Sequence, residues 1–485
     1  MGEIFWPLVY DQLWMMGPAP DYRPLPGLAK RWETDDYKTW RFFLDNSSKF
    51  SDQIPVSLND IIFSLNLFAN KSSEWNQRGI EIQDIKAMEN SVLEITLKHA
   101  HSGPYPPFYR MPVFPRHIWK KYQHSLSRNK NKQAIGSGPF IVKEFKPGEM
   151  LRLAKNQNYH GYPAKFDELV FLIFPNNNSL SSALKSGLID LFGYKGIDPS
   201  RIREFDSAMG VKTVVTEGME LHWLSFNFSQ NPAIRDIKVR KAIMTVIDKK
   251  QIVRQVFGGY AKEIDSFIYP ELSGYNFDLP AYKHNVDQAI DILNEAGYID
   301  IDGDGIRDNP KSIRDLSFTL LVSKSNRAQV RTAGYLRRQI SRIGIRINLL
   351  SADSQSYNNY LHNPMESTHD IALNSKAPGP YQDWIWNMMK SDEGLSNQAN
   401  VSNYINPAFD RILTKLLTTG SSKKRLQYLK LAQEILADEL PYGMLVRPYK
   451  ICPVRQDRID EVVISMGGVS SEINPWNYLH LEIPE

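Results

Sequence analysis

The sequence contains a single cysteine, Cys452, in 485 residues. One cysteine excludes an intramolecular disulfide framework, and we predict that Cys452 is a small buried residue. Apolar runs are short and interrupted by polar residues, so no transmembrane helix is predicted. The net charge is only +4, and no long basic run is present. A nucleic-acid-binding surface is therefore not expected.

Local motifs of common catalytic sites are also missing. The sequence has no G-x-S-x-G elbow, no H-E-x-x-H helix, no P-loop and no Rossmann fingerprint. Ser137 lies between two glycines, but the Pro139-Phe140 that follows does not suit a nucleophile elbow. Cys452 has no recognisable histidine partner motif. We therefore predict that the protein is not an enzyme.

A chain of 485 residues is too long for one compact core, so two or three domains are expected. Alternating and helical hydrophobic patterns predict a helix from Asn285 to Ala296, a strand over residues 316–322, a helix over 328–343 and a strand over 345–349. This β-α-β order predicts a mostly parallel sheet.

The most informative stretch runs from Gly136 to Asp190. A glycine-rich turn at its start precedes a predicted hairpin, whose two strands flank the turn Lys146-Pro147-Gly148-Glu149. A loop rich in Asn, Tyr and Gly then leads to a predicted strand over 166–174. A predicted helix over 179–187 ends on a glycine cap.

This stretch resembles the family 5 extracellular solute-binding proteins, the peptide-binding receptors of ABC importers. The family pattern reads roughly G-T-G-P-F, K-P-G-E, N-P-x-Y-W-G-G-x-P-x-x-D and S-G-E-I-D. The residues at matching places are Gly136, Gly138, Pro139, Phe140, Lys146, Pro147, Gly148, Glu149, Asn158, Tyr159, Gly161, Pro163, Asp167, Ser186, Gly187, Ile189 and Asp190. Further segments resemble the family at residues 50–65, 111–117, 236–261 and 404–417, so that the resemblance covers the chain from about Ile4 to Leu481.

The resemblance implies an α/β fold of the periplasmic binding protein class II, in which two hinged α/β lobes enclose a cleft and a third lobe is inserted. Lobe I is expected in three parts, at residues 1–34, 137–262 and 449–485. Lobe II is expected as an insertion at 35–136, and lobe III at 263–448.

The implied function is that of an extracytoplasmic substrate-binding protein of an ABC importer. It would capture oligopeptides, or a related solute such as a metal chelate or an oligosaccharide, and deliver them to a membrane permease. The implied protein is a monomer that is periplasmic or anchored at the cell surface. Residues Met1 to Trp6 do not form a secretory leader, and the family's leader, first strand and loop are missing before Ile4, so an N-terminal truncation is expected.

Two other functions stay open from the residues alone. A hydrolase acting on peptide or glycan would need an activated nucleophile or paired acids in a cleft. A transporter-independent solute sensor or chaperone-like binding protein would need neither catalytic residues nor a permease.

Candidate ligand contacts follow from aromatic and polar residues, because solute pockets combine apolar walls with a few hydrogen-bonding groups. Tyr381, Asp383 and Trp384 lie where the resemblance places a cleft segment. The family aspartate that pairs with a peptide's α-ammonium aligns with Pro378 or Gly379, and Asp383 is a substitute for it. Trp223 and Asn227, on a predicted strand, are further candidates. Trp384 and the nearby Trp386 are also compatible with a role in the core.

The segment Asp300 to Asp308 is similar to an EF-hand loop. Asp300, Asp302, Asp304 and Asp308 supply oxygens at suitable positions for calcium, but Lys311 stands where a bidentate glutamate is expected. The alternative is an acidic turn after a helix. His99 and His101 would share one strand face if the strand continued that far, as in a zinc or nickel site, but a third ligand is not evident.

Overall fold

A computed structural model gives the fold of the protein. It describes residues 2–19, 22–69, 81–101, 105–122, 134–193, 196–229, 231–312, 314–363, 367–377, 389–391, 400–465, 467–469 and 477–478. The chain divides into two compact units. Unit 1 comprises Met1–Gly218, Thr418–Ser421 and Lys450–Glu485, and unit 2 comprises Met219–Leu417 and Ser422–Tyr449. The expected boundaries of the three lobes stay a prediction.

Unit 1 is built largely from antiparallel sheets. Its strands are β1 (Trp14–Met16), β2 (Pro24–Pro26), β3 (Ala29–Glu33), β4 (Thr39–Leu44), β5 (Ile82–Met88), β6 (Val92–Leu97), β7 (Phe140–Lys146), β8 (Met150–Lys155), β9 (Glu168–Leu172) and β10 (Val211–Glu217). Its helices are α1 (Gly2–Val9), α2 (Leu58–Ala69), α3 (Arg116–Trp119), α4 (Asn177–Lys185) and α5 (Ile202–Asp206). One sheet has the order β3-β4-β6-β5, another β7-β8-β9, and β1 pairs with β2.

Local sequence signals explain where several unit 1 elements begin and turn. Helix α2 starts after Ser57, whose backbone N–H and hydroxyl both donate to the Asp60 carboxylate, at 2.9 and 2.5 Å, in the manner of a capping box. The predicted hairpin is β7–β8, and Gly148 adopts φ +80° in its turn. Two buried clusters form the unit 1 core, one around Phe140 and Leu153 and the other around Phe205 and Cys452.

Unit 2 is an α/β unit. Its strands are β11 (Leu221–Phe226), β12 (Ala261–Glu263), β13 (Ser317–Ser323), β14 (Arg346–Ala352), β15 (Ile371–Lys376) and the first part of β16 (Tyr442–Arg455). Its helices are α6 (Pro232–Arg235), α7 (Ile237–Val246), α8 (Lys249–Phe257), α9 (Val286–Glu295), α10 (Arg327–Ser341), α11 (Ser354–His362), α12 (Pro407–Thr418) and α13 (Ser422–Glu439). Its strands follow the order β16-β11-β15-β13-β14, with β12 beside β16.

This sheet is mixed, so the prediction of a mostly parallel sheet is wrong. β13 pairs in parallel with β14 and with β15, but β15 pairs antiparallel with β11, and β16 pairs antiparallel with β11 and with β12. Single-helix crossovers connect β13 to β14 and β14 to β15 along the chain, and such crossovers are what impose parallel pairing.

The core of unit 2 is a large apolar cluster between the sheet and its helices. Helix α7 contributes Val239, Ala242, Ile243 and Val246, all fully buried, as their helical spacing predicts. The predicted extent of α9 is explained by its two ends: Asn285 accepts from the N–H of Gln288, and Gly297 adopts φ +82° after the helix. Within the described part of the chain, no helix has the length and apolar character needed to cross a membrane.

Candidate functional site

The described part of the predicted ligand site is centred on strand β11, which is buried along its whole length. Alternate residues of a strand point to opposite faces of the sheet. Leu224 and Phe226 belong to the apolar core of unit 2, so Trp223 and Ser225 occupy the opposite face. Cross-strand register puts Asn374 and Met444 beside Trp223, and Ala372 and Tyr442 beside Ser225. We call these six residues the β11 face.

Trp223 is the largest side chain of the β11 face and is 2% exposed. Its indole meets the ring of Phe267 edge-on at a centroid distance of 5.2 Å, and Phe267 meets Tyr442 in the same way at 5.6 Å. The indole Nε1–H of Trp223 has no hydrogen-bond partner among the residues that the structure describes. A buried donor without a partner is unusual, because it loses its bonds to water without compensation.

The other polar side chains of the β11 face form hydrogen bonds with each other, with a backbone carbonyl or with a neighbouring hydroxyl group. The Asn374 side-chain amide donates to the hydroxyl of Ser225 at 2.9 Å and to the carbonyl of Ala372 at 3.1 Å. The Tyr442 hydroxyl lies 3.1 Å from that of Ser402, and burial raises the pKa of Tyr442 well above its ordinary value. None of the six residues is therefore charged at neutral pH, and the face offers neutral hydrogen-bonding groups beside aromatic and apolar surface.

Asn227 follows the end of β11 and is fully buried. Its side-chain amide donates to the carbonyl of His369 at 2.9 Å, and its backbone N–H donates to the carbonyl of Asp370 at 2.8 Å. Its side-chain oxygen accepts from both the N–H and the hydroxyl of Ser229. These bonds fix the end of β11 against the residues that lead into β15.

Two ionisable residues beside Asn227 were not singled out by the sequence analysis. Burial lowers the pKa of His369 to about 4. Burial raises the pKa of Asp370 to about 6, although a hydrogen bond from the Thr319 N–H at 2.7 Å opposes that rise. The sequence signal that could have identified them is a His-Asp pair directly before an apolar segment, because burying a charged group costs free energy.

Tyr381, Asp383 and Trp384, the other predicted ligand contacts, lie outside the described residues. Their role stays a prediction, as does that of Trp223 and Asn227.

A small cavity lies next to the β11 face in unit 2. Phe267, Tyr442 and Met444 line it, together with Lys249 and Asp265, whose side chains form an ion pair at 2.7 Å. The cavity has a volume of about 30 Å³, which is room for one or two water molecules. It is too small to hold a peptide or a chelate.

The acidic loop brings three of its four predicted ligands together. Carboxylate oxygens of Asp300, Asp302 and Asp304 lie within 4.8 Å of one another on the surface. Asp308 does not join them, because it is buried and accepts from the backbone N–H of Ile301 at 2.8 Å.

Each of the three clustered carboxylates also accepts from backbone N–H groups inside the loop, as in an acidic turn. Asp304 additionally pairs with Arg346 at 3.1 Å. Calcium binding here stays a prediction.

In the described part of the chain, His99 and His101 belong to no group of three or more residues close enough to share an ion, and the Asp300 cluster is the only such group. Strand β6 ends at Leu97, before His99 and His101, so the extension that would align them is absent. Cys452 is fully buried, and its Sγ lies 3.5 Å from the carbonyl of Phe192, as expected of a small core residue.

Comparison with known proteins gives consistent matches along the chain. Residues 23–396 match the family model described as bacterial extracellular solute-binding proteins, family 5 Middle. The chain is 26% identical over 417 residues to the oligopeptide-binding protein AppA of Bacillus subtilis, covering 82% of this chain and 74% of that protein. It is 27% identical over 362 residues to the nickel-binding periplasmic protein of Escherichia coli, covering 72% and 67%.

Solved structures agree with the fold. NikA from Brucella suis in complex with Fe(III)-EDTA matches with a TM-score of 0.84 at 20% identity, covering 99% of this chain and 95% of that one. AppA from Bacillus subtilis in complex with a nonapeptide matches with a TM-score of 0.76 at 20% identity, covering 99% and 94%. The predicted α/β fold of the periplasmic binding protein type is therefore confirmed.

Proposed function

The chain belongs to the bacterial extracellular solute-binding proteins, family 5, and from this membership we propose that it captures an oligopeptide or a related solute for an ABC importer. Its relatives are substrate-binding transport proteins. Binding is non-covalent, and the solute is handed to a membrane permease. The protein acts as a monomer, in the periplasm or anchored at the cell surface.

The observation that carries the choice of solute is the composition of the β11 face. Within the described part of the chain, the buried indole N–H of Trp223 has no partner, and it lies next to Phe267 and to the neutral amide of Asn374. A carbonyl oxygen of a peptide backbone is a suitable acceptor for this donor, and a peptide side chain suits the aromatic surface beside it. Neutral groups of this kind favour an uncharged amide over a highly charged solute, because an unpaired buried charge is strongly destabilising.

Tyr381, Asp383 and Trp384 complete the proposed contact set. Asp383 supplies a negative charge for the α-ammonium of a peptide. Asn227 holds the end of β11 through its bonds to the backbone at His369 and Asp370, so its contribution to the site includes keeping Trp223 in place.

Thermal unfolding with defined peptides tests this function. A solute that binds only the folded state stabilises it, by about 2.7 kcal/mol when its concentration is one hundred times Kd. We expect some members of a set of peptides of graded length to raise the unfolding temperature, whereas the same amino acids in free form do not. A set of peptides without any stabilising member, while a metal chelate or an oligosaccharide does stabilise, would overturn the peptide proposal.

A further inference from the structure

Helices α8 and α10 pack side by side in unit 2 and run in opposite directions. Three hydrogen bonds join them. Arg331 donates to the carbonyl of Gln255, and Tyr335 donates to the Gln251 side chain at 2.6 Å. The backbone N–H of Asp248 donates to the Gln339 side chain at 2.9 Å, so residue numbers rise along α10 as they fall along α8. The two helices therefore form one continuous surface.

The outer side of this helix pair is strongly basic. The exposed basic residues are Lys250, Arg254, Arg327, Arg331, Arg337, Arg338 and Arg342. Neither helix contains an acidic residue between its first and last positions. By contrast, the whole chain is almost balanced, with 58 basic and 54 acidic residues. Positive charge is thus concentrated on this surface, which we call the α8/α10 face.

These cations are not neutralised by neighbouring carboxylates. Among the described residues, none of the seven has an acidic oxygen within ion-pair distance. The Asp248 side chain caps the start of α8. The Asp304 side chain pairs with Arg346, which follows α10 in the sequence. The positive charges of the α8/α10 face are therefore available to interact with an anionic partner.

The basic side chains of α10 lie beside α8. The Arg338 guanidinium is 5.6 Å from the centroid of the Tyr335 ring, and the Tyr335 hydroxyl donates to Gln251 of α8. Helical spacing places Arg327, Arg331, Arg338 and Arg342 on a single stripe, because intervals of four and seven residues correspond to about one and two helical turns.

Gly334 stands in the middle of this stripe, between Arg331 and Arg338. No atom lies within 4 Å of the place that its Cβ would occupy, so packing does not require a glycine there. Glycine weakens a helix interior relative to alanine. The missing side chain therefore leaves open space on the helix surface at this position, which we call the notch.

We propose that the α8/α10 face binds the anionic headgroups of a phospholipid membrane. The arginine stripe extends over roughly 22 Å at 1.5 Å per residue, so it suits an array of anions better than one small ion. Its only exposed large apolar side chain is Val330, whereas stable protein interfaces usually contain an aromatic or apolar centre. Basic clusters without such a centre bind anionic bilayers through charge alone.

This binding adds to the proposed function, because it keeps a solute-delivering protein near the bilayer that holds a permease. It does not depend on which solute is captured, or on whether one is captured. Failure of the peptide experiment and failure of the membrane experiment are therefore distinguishable.

The test is sedimentation of the full chain with vesicles of phosphatidylcholine containing phosphatidylglycerol, or of phosphatidylcholine alone. We expect binding only to the anionic vesicles, and loss of that binding as salt rises, because exposed charges are screened. The face variant combines Arg327→Gln, Arg338→Gln and Arg342→Gln. The control variant removes the same charge elsewhere in unit 2, through Arg411→Gln, Lys415→Gln and Lys423→Gln.

The face variant should bind the anionic vesicles at least about tenfold more weakly, whereas the control should stay within about twofold of the unmodified chain. Gly334→Arg should strengthen binding, and Gly334→Gln, which fills the notch without charge, should not. Equal losses in the face and control variants would overturn the proposal. So would binding to neutral vesicles, or capture of an acidic protein by a face that ignores anionic vesicles.

Discussion

The indole of Trp223 lies edge-on to the ring of Phe267, with centroids 5.2 Å apart and planes at 76°, while its own N–H is buried and has no hydrogen-bond partner among the described residues. The ring therefore packs within the fold, and the N–H is the donor that we propose for a solute.

Replacing Trp223 with phenylalanine should separate these two roles. The Trp223→Phe variant keeps an aromatic ring but loses the donor, so peptide affinity should fall by about 1 kcal/mol, which is roughly fivefold. Trp119→Phe is a matched control, because Trp119 of unit 1 also buries an unpaired indole N–H and stacks on Phe114 at 4.3 Å. Calorimetric titration of both variants measures the affinities. An equal loss in both would show that the Trp223 donor has no specific role.

Asn227 should matter for stability even without solute. Asn227→Ala leaves the carbonyl of His369 and the groups of Ser229 without their partner, which should cost about 1–3 kcal/mol in the free energy of unfolding. Urea denaturation measures this change in the free energy of unfolding. Asn363→Ala is the control, since the Asn363 side chain makes an exposed bond to the Asn359 carbonyl at 3.1 Å. A loss at Asn227 no greater than that at Asn363 would contradict this account.

Asp370 should make the free energy of unfolding depend on pH. Its pKa is raised to about 6 in the folded state, so the stabilising contribution is present below pH of about 4 and is lost as pH rises through 6. Asp370→Asn keeps an acceptor for the Thr319 N–H but cannot ionise. The variant should match the unmodified protein near pH 4 and be more stable by about 2–3 kcal/mol at pH 7. Parallel pH profiles of the two proteins would refute the assignment.

His160 should give a second pH dependence, in unit 1. Its Nε2 lies 2.6 Å from an Asp11 carboxylate oxygen, and its Nδ1 lies 3.9 Å from Asp45. Burial opposes the charged ring and Lys30 does so too, but the hydrogen bond and charge of Asp11, with help from Asp45, raise the pKa of His160 above its ordinary value. The stabilising contribution of the His160–Asp11 pair is therefore fully present below the pKa that His160 has in the unfolded chain. It is lost as pH rises through the raised pKa of His160 in the folded protein.

The His160→Gln variant should consequently lose less stability than the unmodified protein between pH 6 and pH 8. Denaturation curves over that range measure the difference. The same slope in both proteins would mean that the pair does not titrate as described.

Calcium should bind the acidic loop if its clustered carboxylates act as ligands. One equivalent of calcium should bind with an affinity that Asp302→Asn weakens, and Asp308→Asn should have a smaller effect on affinity, because Asp308 faces the backbone of Ile301. Calorimetry of metal-free protein tests this. Identical calcium titrations of the unmodified protein and Asp302→Asn would favour the alternative, an acidic turn without an ion.

Elements with local signals were predictable from the sequence. Asn285 and Gly297 mark the ends of α9 because a side-chain cap and a positive φ act over a few residues. Contacts between distant segments were not predictable in this way. Asn374 and Ser225 are 149 residues apart along the chain, yet they form a hydrogen bond on the β11 face. Hydrophobic periodicity does not specify which strands become neighbours. The mixed sheet and the residues that surround Trp223 could therefore be identified only from the structure.

The most direct test of the central claim is to incubate the protein with a defined peptide pool, remove unbound peptide by dialysis, and identify by mass spectrometry what the protein retains. Selected peptides should be recovered intact, at up to one equivalent per chain. Recovery of cleaved fragments, or of no peptide from a pool that spans the graded lengths, would contradict that claim.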